Sequence, residues 1–325
     1  MGLASIDTAA AGLVVLALSF AWVNGVNDGG TLLVSRLRSG GIDPLGGVAV
    51  LMLALVAVPS VTGWRVAATL SERLIVDAGG SGPRLAVVTI VATVVVVAAL
   101  GRIGAPTSLT LALIGALAGA GVGSGLNTDR AVMTTVVAMA ALAPFVGMLV
   151  AALLARLVRD AGGSPRVRNW LHTGSRSSLW LQAIAYAAND GQKMLVVPIL
   201  AGITSPMLPA GPRGAVSLAV ALPFAAGAFV GVRRFSSTVG TLVRQAPEVT
   251  LVSSAASAGA VLGSAALGLP VSMTQTIAGA QIGAGMATGF RRIRWDIALR
   301  LAQAWVITLP AAFAAGAALG SAVIR

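Results

Sequence analysis

The stretch LAVVTIVATVVVVAALG, residues 85–101, decides the kind of fold. None of its residues is charged. A helix needs about 20 mostly apolar residues to cross the hydrocarbon core of a bilayer. A strand of a membrane β-barrel would alternate between apolar and polar residues, and this run does not alternate. The stretch therefore predicts a membrane-spanning helix.

The whole chain has the same character. It has 325 residues, of which 57% are hydrophobic and only 10% are charged, whereas soluble proteins carry about 25% charged residues. We predict an all-α integral membrane protein of roughly 10–12 transmembrane or re-entrant helices, multi-pass in the cell membrane and embedded in its lipid bilayer. The apolar segments are 8–26, 44–62, 85–101, 105–125, 131–157, 177–202, 215–231, 249–268, 270–289 and 298–323.

The arginines behind the net charge of +12 lie between apolar segments. We therefore interpret them as loop charges that set the orientation of the helices in the membrane, and not as a nucleic-acid-binding surface. Loops that follow odd-numbered segments hold fifteen basic residues; the even loops and the C-terminus hold six, and the last of the 22 is Lys193. The odd loops are therefore predicted to be cytoplasmic, with both termini outside. The chain has no cysteine, which excludes disulfides and thiolate metal sites.

The two halves of the chain resemble each other. NGVNDGG (24–30) in the first half has a counterpart in AANDGQK (187–193). PTSLTLALIGALAGAGVGSG (106–125) aligns with PVSMTQTIAGAQIGAGMATG (270–289) at an offset of 164 residues. We predict an internal repeat. Its parts are an N-terminal transmembrane repeat (1–157), a basic cytoplasmic linker (158–176) and a C-terminal transmembrane repeat (177–325).

Each half contains five segments, and an odd number means that the second copy enters the membrane with the opposite orientation. Inverted-topology repeats are typical of secondary transporters, whose sites lie near the membrane midplane where the repeats meet. Channels also carry such repeats, so the pattern alone leaves both classes open.

Two acidic residues stand apart from the loop charges. Asp28 ends the first apolar segment, Asp190 lies inside the sixth, and an asparagine precedes each. A carboxylate at membrane depth costs about 3 kcal/mol or more and is a functional candidate by default. The alternative is a structural pair that holds two helix breaks.

A second duplicated motif, P-x-S-x-T, contributes hydroxyl groups. Proline interrupts helical hydrogen bonding and leaves backbone groups free. A helix that begins there directs its N–H groups and a partial positive charge into the gap, which suits an oxyanion. The hydroxyl residues of the two copies are Ser108, Thr110, Ser272 and Thr274.

These motifs together predict an anion site that is coupled to a cation. Carboxylate, amide and backbone oxygens suit Na⁺, and Asp28 and Asp190 are the possible metal ligands; a proton on a carboxylate is the alternative. Lys193 either offsets Asp190, contacts the anion or forms a structural ion pair. No cofactor is implied, and no nucleophile–base pair indicates an enzyme.

At these residues the chain resembles the inorganic phosphate transporter (PiT) family. AYAANDGQKMLVV is similar to the family's AHGANDGQK-type signature, NGVNDGG to its NGANDxAN copy, and PTSLTL and PVSMTQ to its paired PVSTTH motifs. The resemblance implies a symporter, often dimeric, that moves inorganic phosphate with Na⁺ or H⁺. It implies ion-coupling roles for Asn27, Asp28, Asn189 and Asp190, to which we add Asn24 of the first motif. It implies substrate contacts from Ser108, Thr110, Ser272, Thr274, Asn189 and Gln192, to which we add Lys193.

Two alternatives stay open. Several polar residues of the family motifs are replaced here, and some relatives carry sulfate, so a sulfate permease of the same fold is one alternative. A non-transporting or channel-like membrane protein is the other. A passive channel tolerates loss of Asp28 and Asp190 better than a coupled symporter does.

Overall fold

Helices dominate the computed structural model. It describes residues 8–37, 43–76, 78–102, 107–160, 164–235, 242–243 and 246–325. Within those ranges the regular structure is helical apart from two isolated antiparallel bridges, Ile75 with Thr128 and Val243 with Ile293. The predicted all-α class is confirmed.

The first half of the chain contains seven α-helices, and the second half also contains seven in the described residues. Those of the first half are α1 (Thr8–Asn24), α2 (Gly30–Leu37), α3 (Pro44–Thr62), α4 (Arg65–Ala68), α5 (Gly82–Arg102), α6 (Leu109–Ser124) and α7 (Arg130–Asp160). Those of the second half are α8 (Pro165–Ala188), α9 (Asp190–Lys193), α10 (Val196–Leu200), α11 (Ala210–Phe235), α12 (Pro247–Ala266), α13 (Met273–Thr288) and α14 (Trp295–Val323).

Seven helices of the described residues are long and apolar enough to cross a membrane, and they correspond to seven of the ten predicted segments. The other three predicted segments correspond to shorter or less apolar helices. These are α6, α13 and the consecutive helices α8 to α10. At 16 residues each, α6 and α13 are about 24 Å long, which is less than the bilayer core. The seven spans are Ala10–Leu33, Pro44–Thr62, Gly82–Leu100, Arg130–Asp160, Ala210–Arg233, Pro247–Ala266 and Trp295–Val323.

The two short helices begin in the same way. Ser108 caps α6, its Oγ accepting from the backbone N–H of Leu111 at 3.3 Å. Ser272 caps α13, its Oγ accepting from the N–H of Gln275 at 3.4 Å. A serine at this position satisfies one of the free N–H groups of a helix start. Pro106, the first residue of the earlier motif, lies outside the described residues.

Glycines let each short helix pack closely on a long one. α6 packs on α14, and α13 packs on α7. A Cβ atom added to Gly119 would overlap the backbone carbonyl of Phe313, and one added to Gly279 would overlap that of Pro144. Small residues at helix crossings are how membrane helices approach closely. The glycine-rich runs of the two halves are therefore packing surfaces, and they are arranged alike.

The segment predicted as a basic linker, 158–176, is helical at both of its ends. α7 continues to Asp160, and α8 already begins at Pro165. Ser164 explains the early start, since its Oγ accepts from the N–H of Val167 at 3.3 Å and proline suits the first helical position. Residues 161–163 lie outside the described residues.

Candidate functional site

Both aspartates of the duplicated motif lie at interruptions of a helix. Asp28 lies in a π-helical turn, Gly25–Gly29, that joins α1 to α2. Such turns shift the helical register and occur often at functional sites. Asp190 follows Asn189, whose non-helical backbone (φ −121°, ψ −75°) ends α8 before α9 begins. Both carboxylates are almost fully buried, with 3% and 1% of their residue surface exposed.

The structure brings the two aspartates together around one small space. We call this group the carboxylate cluster: Asn24, Asp28, Thr110, Asp190 and Lys193. Phe20, Leu109 and Leu113 complete its walls. The space between these side chains is too small for a water molecule, so we describe the site as closed in this conformation. Residues from both halves of the chain thus form a single centre.

Asp190 makes hydrogen bonds with both of its oxygens. Its Oδ1 accepts from Thr110 Oγ1 at 3.1 Å and from Lys193 Nζ at 2.8 Å. Its Oδ2 accepts from the backbone N–H of Met273 at 3.0 Å. That N–H belongs to the first residue of α13, so the carboxylate lies against the positive end of this helix. Asp190 therefore ties α9 to the starts of both short helices.

Lys193 is a buried cation surrounded by oxygen atoms. Its ammonium donates to Asp190 Oδ1 at 2.8 Å, to Thr110 Oγ1 at 2.9 Å and to the carbonyl oxygen of Val271. The lysine side chain is 3% exposed and that of Asp190 is 2% exposed. A buried ion pair is tolerated only when further hydrogen bonds satisfy both charges, and they do so here.

Asp28 has a different set of partners. Its Oδ1 accepts from Asn27 Nδ2 at 2.8 Å. The hydroxyl of Tyr186 donates to Asn24 Oδ1 at 3.2 Å and also faces Asp28. Among the described ion pairs, Asp28 takes part in none.

Tyr186 is the site residue that sequence reasoning missed. It is fully buried, and its ring packs on Phe224 with 5.5 Å between ring centroids. A buried tyrosine hydroxyl requires a hydrogen-bond partner, which Asn24 supplies. The available signal was its place as the only tyrosine of the chain, four residues before Asp190.

The hydroxyl residues of the second motif meet beside the carboxylate cluster. Ser108 Oγ donates to Ser272 Oγ at 3.3 Å, which joins the starts of α6 and α13. Ser272 Oγ also lies 3.0 Å from Thr274 Oγ1. Thr110 belongs to both groups, since it contacts Asp190 and Lys193. The four hydroxyl residues predicted to bind an anion therefore surround two facing helix N-termini.

Asn189, a predicted ligand, forms hydrogen bonds with backbone groups of a distant segment. Its Nδ2 donates to the carbonyl oxygen of Leu269 at 2.9 Å, and its Oδ1 accepts from the N–H of Val271 at 3.0 Å. These two bonds fix the irregular segment that leads into α13.

Gln192, the other predicted amide ligand, is engaged in the same way. Its Oε1 accepts from the N–H of Val66 at 3.0 Å, and its Nε2 donates to the carbonyl oxygens of Gly63 and Ala188 at 3.1 and 2.8 Å. The amide thereby fixes the start of α4 against α9.

The candidate metal ligands are limited to single carboxylates. The described residues contain no group of three or more His, Cys, Asp or Glu side chains that could hold a metal ion. A cation at Asp28 or Asp190 would therefore need neutral oxygens from hydroxyls, amides or backbone carbonyls. Those are the ligands that broken membrane helices provide for Na⁺.

Comparisons with known proteins identify the family of this chain. A model of the "Phosphate transporter family" matches residues 163–316. The chain is 33% identical over 319 residues to a probable low-affinity inorganic phosphate transporter of Mycobacterium tuberculosis (strain ATCC 25618 / H37Rv), covering 94% of this chain and 75% of that protein. A protein of the same name from Bacillus subtilis (strain 168) is 25% identical over 326 residues, covering 94% of each chain.

A solved structure shares the fold. "The sodium-dependent phosphate transporter" superposes with a TM-score of 0.83 over 97% of this chain and 98% of its own, at 16% identity. The expectation of a transporter-family membrane protein rather than an enzyme is confirmed. With a relative at 33% identity across nearly its whole length, this multi-pass membrane protein belongs to the phosphate transporter family.

Proposed function

We propose that this protein is a secondary active transporter that moves inorganic phosphate across the membrane together with a cation. One observation carries the proposal. Two buried carboxylates, one from each half, lie in a closed cluster beside two helix starts that carry hydroxyl groups. Phosphate is proposed as the substrate because relatives in the same family are described as probable inorganic phosphate transporters.

The hydroxyl groups and helix starts are the anion side of the proposed site. Ser108, Thr110, Ser272 and Thr274 are hydroxyl donors, and the N-termini of α6 and α13 add backbone N–H groups and partial positive charge. Tetrahedral oxyanions bind well to such donors. In the closed conformation these groups bond one another, and opening would free them for phosphate.

The carboxylates explain why a cation must travel with the anion. With both aspartates ionised and Lys193 charged, the carboxylate cluster has a formal charge of −1. Like charges a few ångströms apart repel by about 4 kcal/mol even at an effective dielectric constant of 20. A coupling cation that neutralises the cluster removes this repulsion, so phosphate binding and cation binding favour each other.

We propose that the two halves are inverted-topology repeats that alternate access to this cluster. Matched features support the repeat. Asp28 and Asp190 differ by 162 positions, and Ser108 and Ser272 by 164. In addition, each short helix packs on a long helix of the other half: α6 packs on α14, and α13 packs on α7. Transporters built from inverted repeats move one bundle against another around a site at their interface.

Uptake into proteoliposomes tests the proposed function. Purified protein should accumulate radiolabelled phosphate when a proton or Na⁺ gradient is imposed and should fail to do so without a gradient. Excess unlabelled phosphate should compete more effectively than sulfate. Preferential competition by sulfate would reassign the substrate, and movement that ignores both gradients would favour the channel-like alternative.

Cysteine labelling tests the proposed orientation, because the natural chain has no cysteine to interfere. Met207 lies in an even loop and Arg292 in an odd loop, and both side chains are exposed. A membrane-impermeant thiol reagent should label Met207→Cys but not Arg292→Cys in intact cells. The reverse pattern would place both termini inside. Cross-linking between copies tests the homodimer that the resemblance predicts.

A further inference from the structure

A crevice on the side of the helix bundle lies outside the carboxylate cluster. Its cavity volume is about 410 Å³, and ligand pockets have volumes of about 300–1,000 Å³. The crevice is therefore large enough for a small organic molecule. We call it the side crevice, and residues of α6, α7, α13 and α14 line it, among them Leu111, Pro144, Phe145, Gln275, Trp305 and Val306.

The side crevice lies where two helix pairs meet. α6 packs on α14, α13 packs on α7, and all four helices contribute to the walls. Each long helix also carries a proline at the crevice, Pro144 in α7 and Pro310 in α14. A proline inside a helix removes one hydrogen bond and disturbs the turn that precedes it. The crevice is thus a gap between the helix pairs and not a void within either pair.

The side crevice opens toward the hydrocarbon of the bilayer. Phe145 lies near the middle of α7 and Val306 near the middle of α14, and both helices are candidate membrane spans. Phe145 is 60% exposed and Val306 is 73% exposed. The middle of a spanning helix faces the apolar core of the bilayer. An occupant therefore enters this crevice from the lipid and not from water.

Gln275 gives the apolar crevice one unpartnered acceptor. The residue is 3% exposed, and its Oε1 has no hydrogen-bond partner among the described residues. The other described residues that line the crevice have apolar side chains, apart from the indole N–H of Trp305. A buried acceptor without a donor keeps the full cost of losing its water. The oxygen therefore favours an occupant that carries an O–H or N–H group.

The chemistry of the walls limits what that occupant is. A buried water normally makes about three hydrogen bonds, and these walls offer an amide and an indole only. None of the described residues that line the crevice is charged, so a charged head group would lose its water without gaining a counter-charge. A hydroxyl group in hydrocarbon also lacks a partner. Gln275 Oε1 and such a hydroxyl satisfy each other.

Gln275 also places the side crevice next to the duplicated motif. It directly follows Thr274 in α13, and Leu111 directly follows Thr110 in α6. Gln275 and Leu111 are matched positions, 164 residues apart. The crevice therefore borders the first turns of both short helices, and of its two matched residues only Gln275 is polar.

We propose that the side crevice binds a neutral lipid with a single hydroxyl group, the chemistry of a long-chain alcohol. The alkyl chain lies along the apolar walls, and the hydroxyl donates to Gln275 Oε1. The site lies outside the carboxylate cluster, and its occupation is measured without phosphate. A negative result would therefore leave the proposed function standing.

The test uses tryptophan fluorescence, because Trp305 lines the side crevice. The natural protein is placed in phosphatidylcholine vesicles that contain increasing amounts of a long-chain alcohol brominated along its chain. Bromine quenches an indole that it touches, and the difference between the natural protein and Trp305→Phe isolates the signal of Trp305. The alcohol should quench this signal, and Gln275→Leu should require about two- to tenfold more alcohol, since one hydrogen bond is lost.

Matched controls separate the hydrogen bond from general effects. A brominated alkane of equal length should quench Trp305 alike in the natural protein and in Gln275→Leu. Gln303→Leu, which removes an exposed amide of α14, should respond to the alcohol like the natural protein. Gln275→Leu should fold, because it removes a buried acceptor without a partner and installs the residue of the matching position. Gln275→Met is a second variant that lacks the acceptor.

Three results would overturn the proposal. Quenching that is the same in the natural protein and in Trp305→Phe would show that the alcohol does not enter the crevice. An equal response of the natural protein and the Gln275 variants would show that Gln275 does not bind the hydroxyl. If neither variant folds, the methyl ether of the alcohol decides, because it cannot donate and should bind the natural protein more weakly. Disulfide-linked pairs of Val306→Cys without quenching of Trp305 would show that a second copy fills the crevice.

Discussion

The two aspartates of the carboxylate cluster occupy matched positions but have different surroundings. Asp190 bonds a lysine ammonium, a threonine hydroxyl and the first N–H of α13. Asp28 accepts from an asparagine amide and faces the hydroxyl of Tyr186, and it has no ion-pair partner among the described residues. A duplicated motif therefore does not imply duplicated chemistry.

The difference separates two tasks. Asp190 is tied to α13 and to Thr110 of α6, so it positions the helix starts that we propose for phosphate. Asp28 has no ion-pair partner among the described residues, so it remains the candidate carboxylate for the coupling cation. We infer that the second half of the chain organises the site and that the first half supplies the coupling carboxylate.

The largest expected effect is a difference in the free energy of unfolding between variants of the two aspartates. Asp190→Asn leaves the buried ammonium of Lys193 with neutral acceptors only, and breaking a buried ion pair from one side costs about 3–5 kcal/mol. Asp28→Asn removes a buried charge that has no ion-pair partner and should cost far less free energy of unfolding. Denaturation of both variants in detergent makes the comparison. Equal losses would show that the two carboxylates are structurally equivalent.

A matched glycine pair should behave symmetrically instead. Gly119→Val and Gly279→Val each force a side chain against a backbone carbonyl of the partner helix, and overpacking costs about 1–3 kcal/mol. Because the two crossings are arranged alike, the losses in unfolding free energy should agree. Ser124→Val, on the same short helix but half-buried, is a milder control. A large difference between the two glycine variants would limit the repeat to its sequence motifs.

The threonines give a smaller, asymmetric effect. Thr110→Val removes a hydroxyl that bonds two charged groups, and such bonds are worth about 1.5–3 kcal/mol. Thr274→Val removes a hydroxyl that bonds only Ser272 among the contacts described, at about 0.5–1.5 kcal/mol. Chemical denaturation should therefore rank Thr110→Val as the less stable protein. The opposite ranking would contradict the arrangement around Asp190.

The smallest effect is expected at the surface. Asp296 and Arg300 also form an ion pair along a helix, 2.9 Å apart, but 57% and 64% of their side-chain surfaces are exposed. An exposed pair four residues apart on a helix contributes about 0.3–0.5 kcal/mol, so Asp296→Asn should unfold almost like the natural protein. A loss as large as that of Asp190→Asn would mean that burial does not set the strength of these pairs.

Much of the fold could be predicted from hydropathy and helix punctuation. The predicted segment 44–62 has the same bounds as α3, because Asp43 and Pro44 start the helix and Gly63 ends it. The segments around α6 and α13 were also placed correctly. The short length of both helices was harder to see, since apolar residues flank both helix starts and only the serine caps mark where each helix begins.

Most residues of the candidate site could be predicted from the sequence, but their hydrogen-bond partners could not. The ND and P-x-S-x-T motifs identified the side chains that meet in the cluster. The sequence carries no sign that Gln192 and Asn189 engage backbone groups of distant segments, because every residue supplies such groups. For the same reason, the carbonyl of Val271 beside Lys193 could not be foreseen. Which lone pairs are used depends on tertiary packing alone.

The most direct test of the proposed coupling is concentrative phosphate uptake by Asp28→Asn. Proteoliposomes with the natural protein should accumulate labelled phosphate above equilibrium under an imposed proton or Na⁺ gradient. Asp28→Asn should still exchange internal for external phosphate, because the hydroxyl groups and helix starts remain, but it should not accumulate phosphate against its gradient. If Asp28→Asn accumulates phosphate like the natural protein, Asp28 does not carry the coupling charge and the account is wrong.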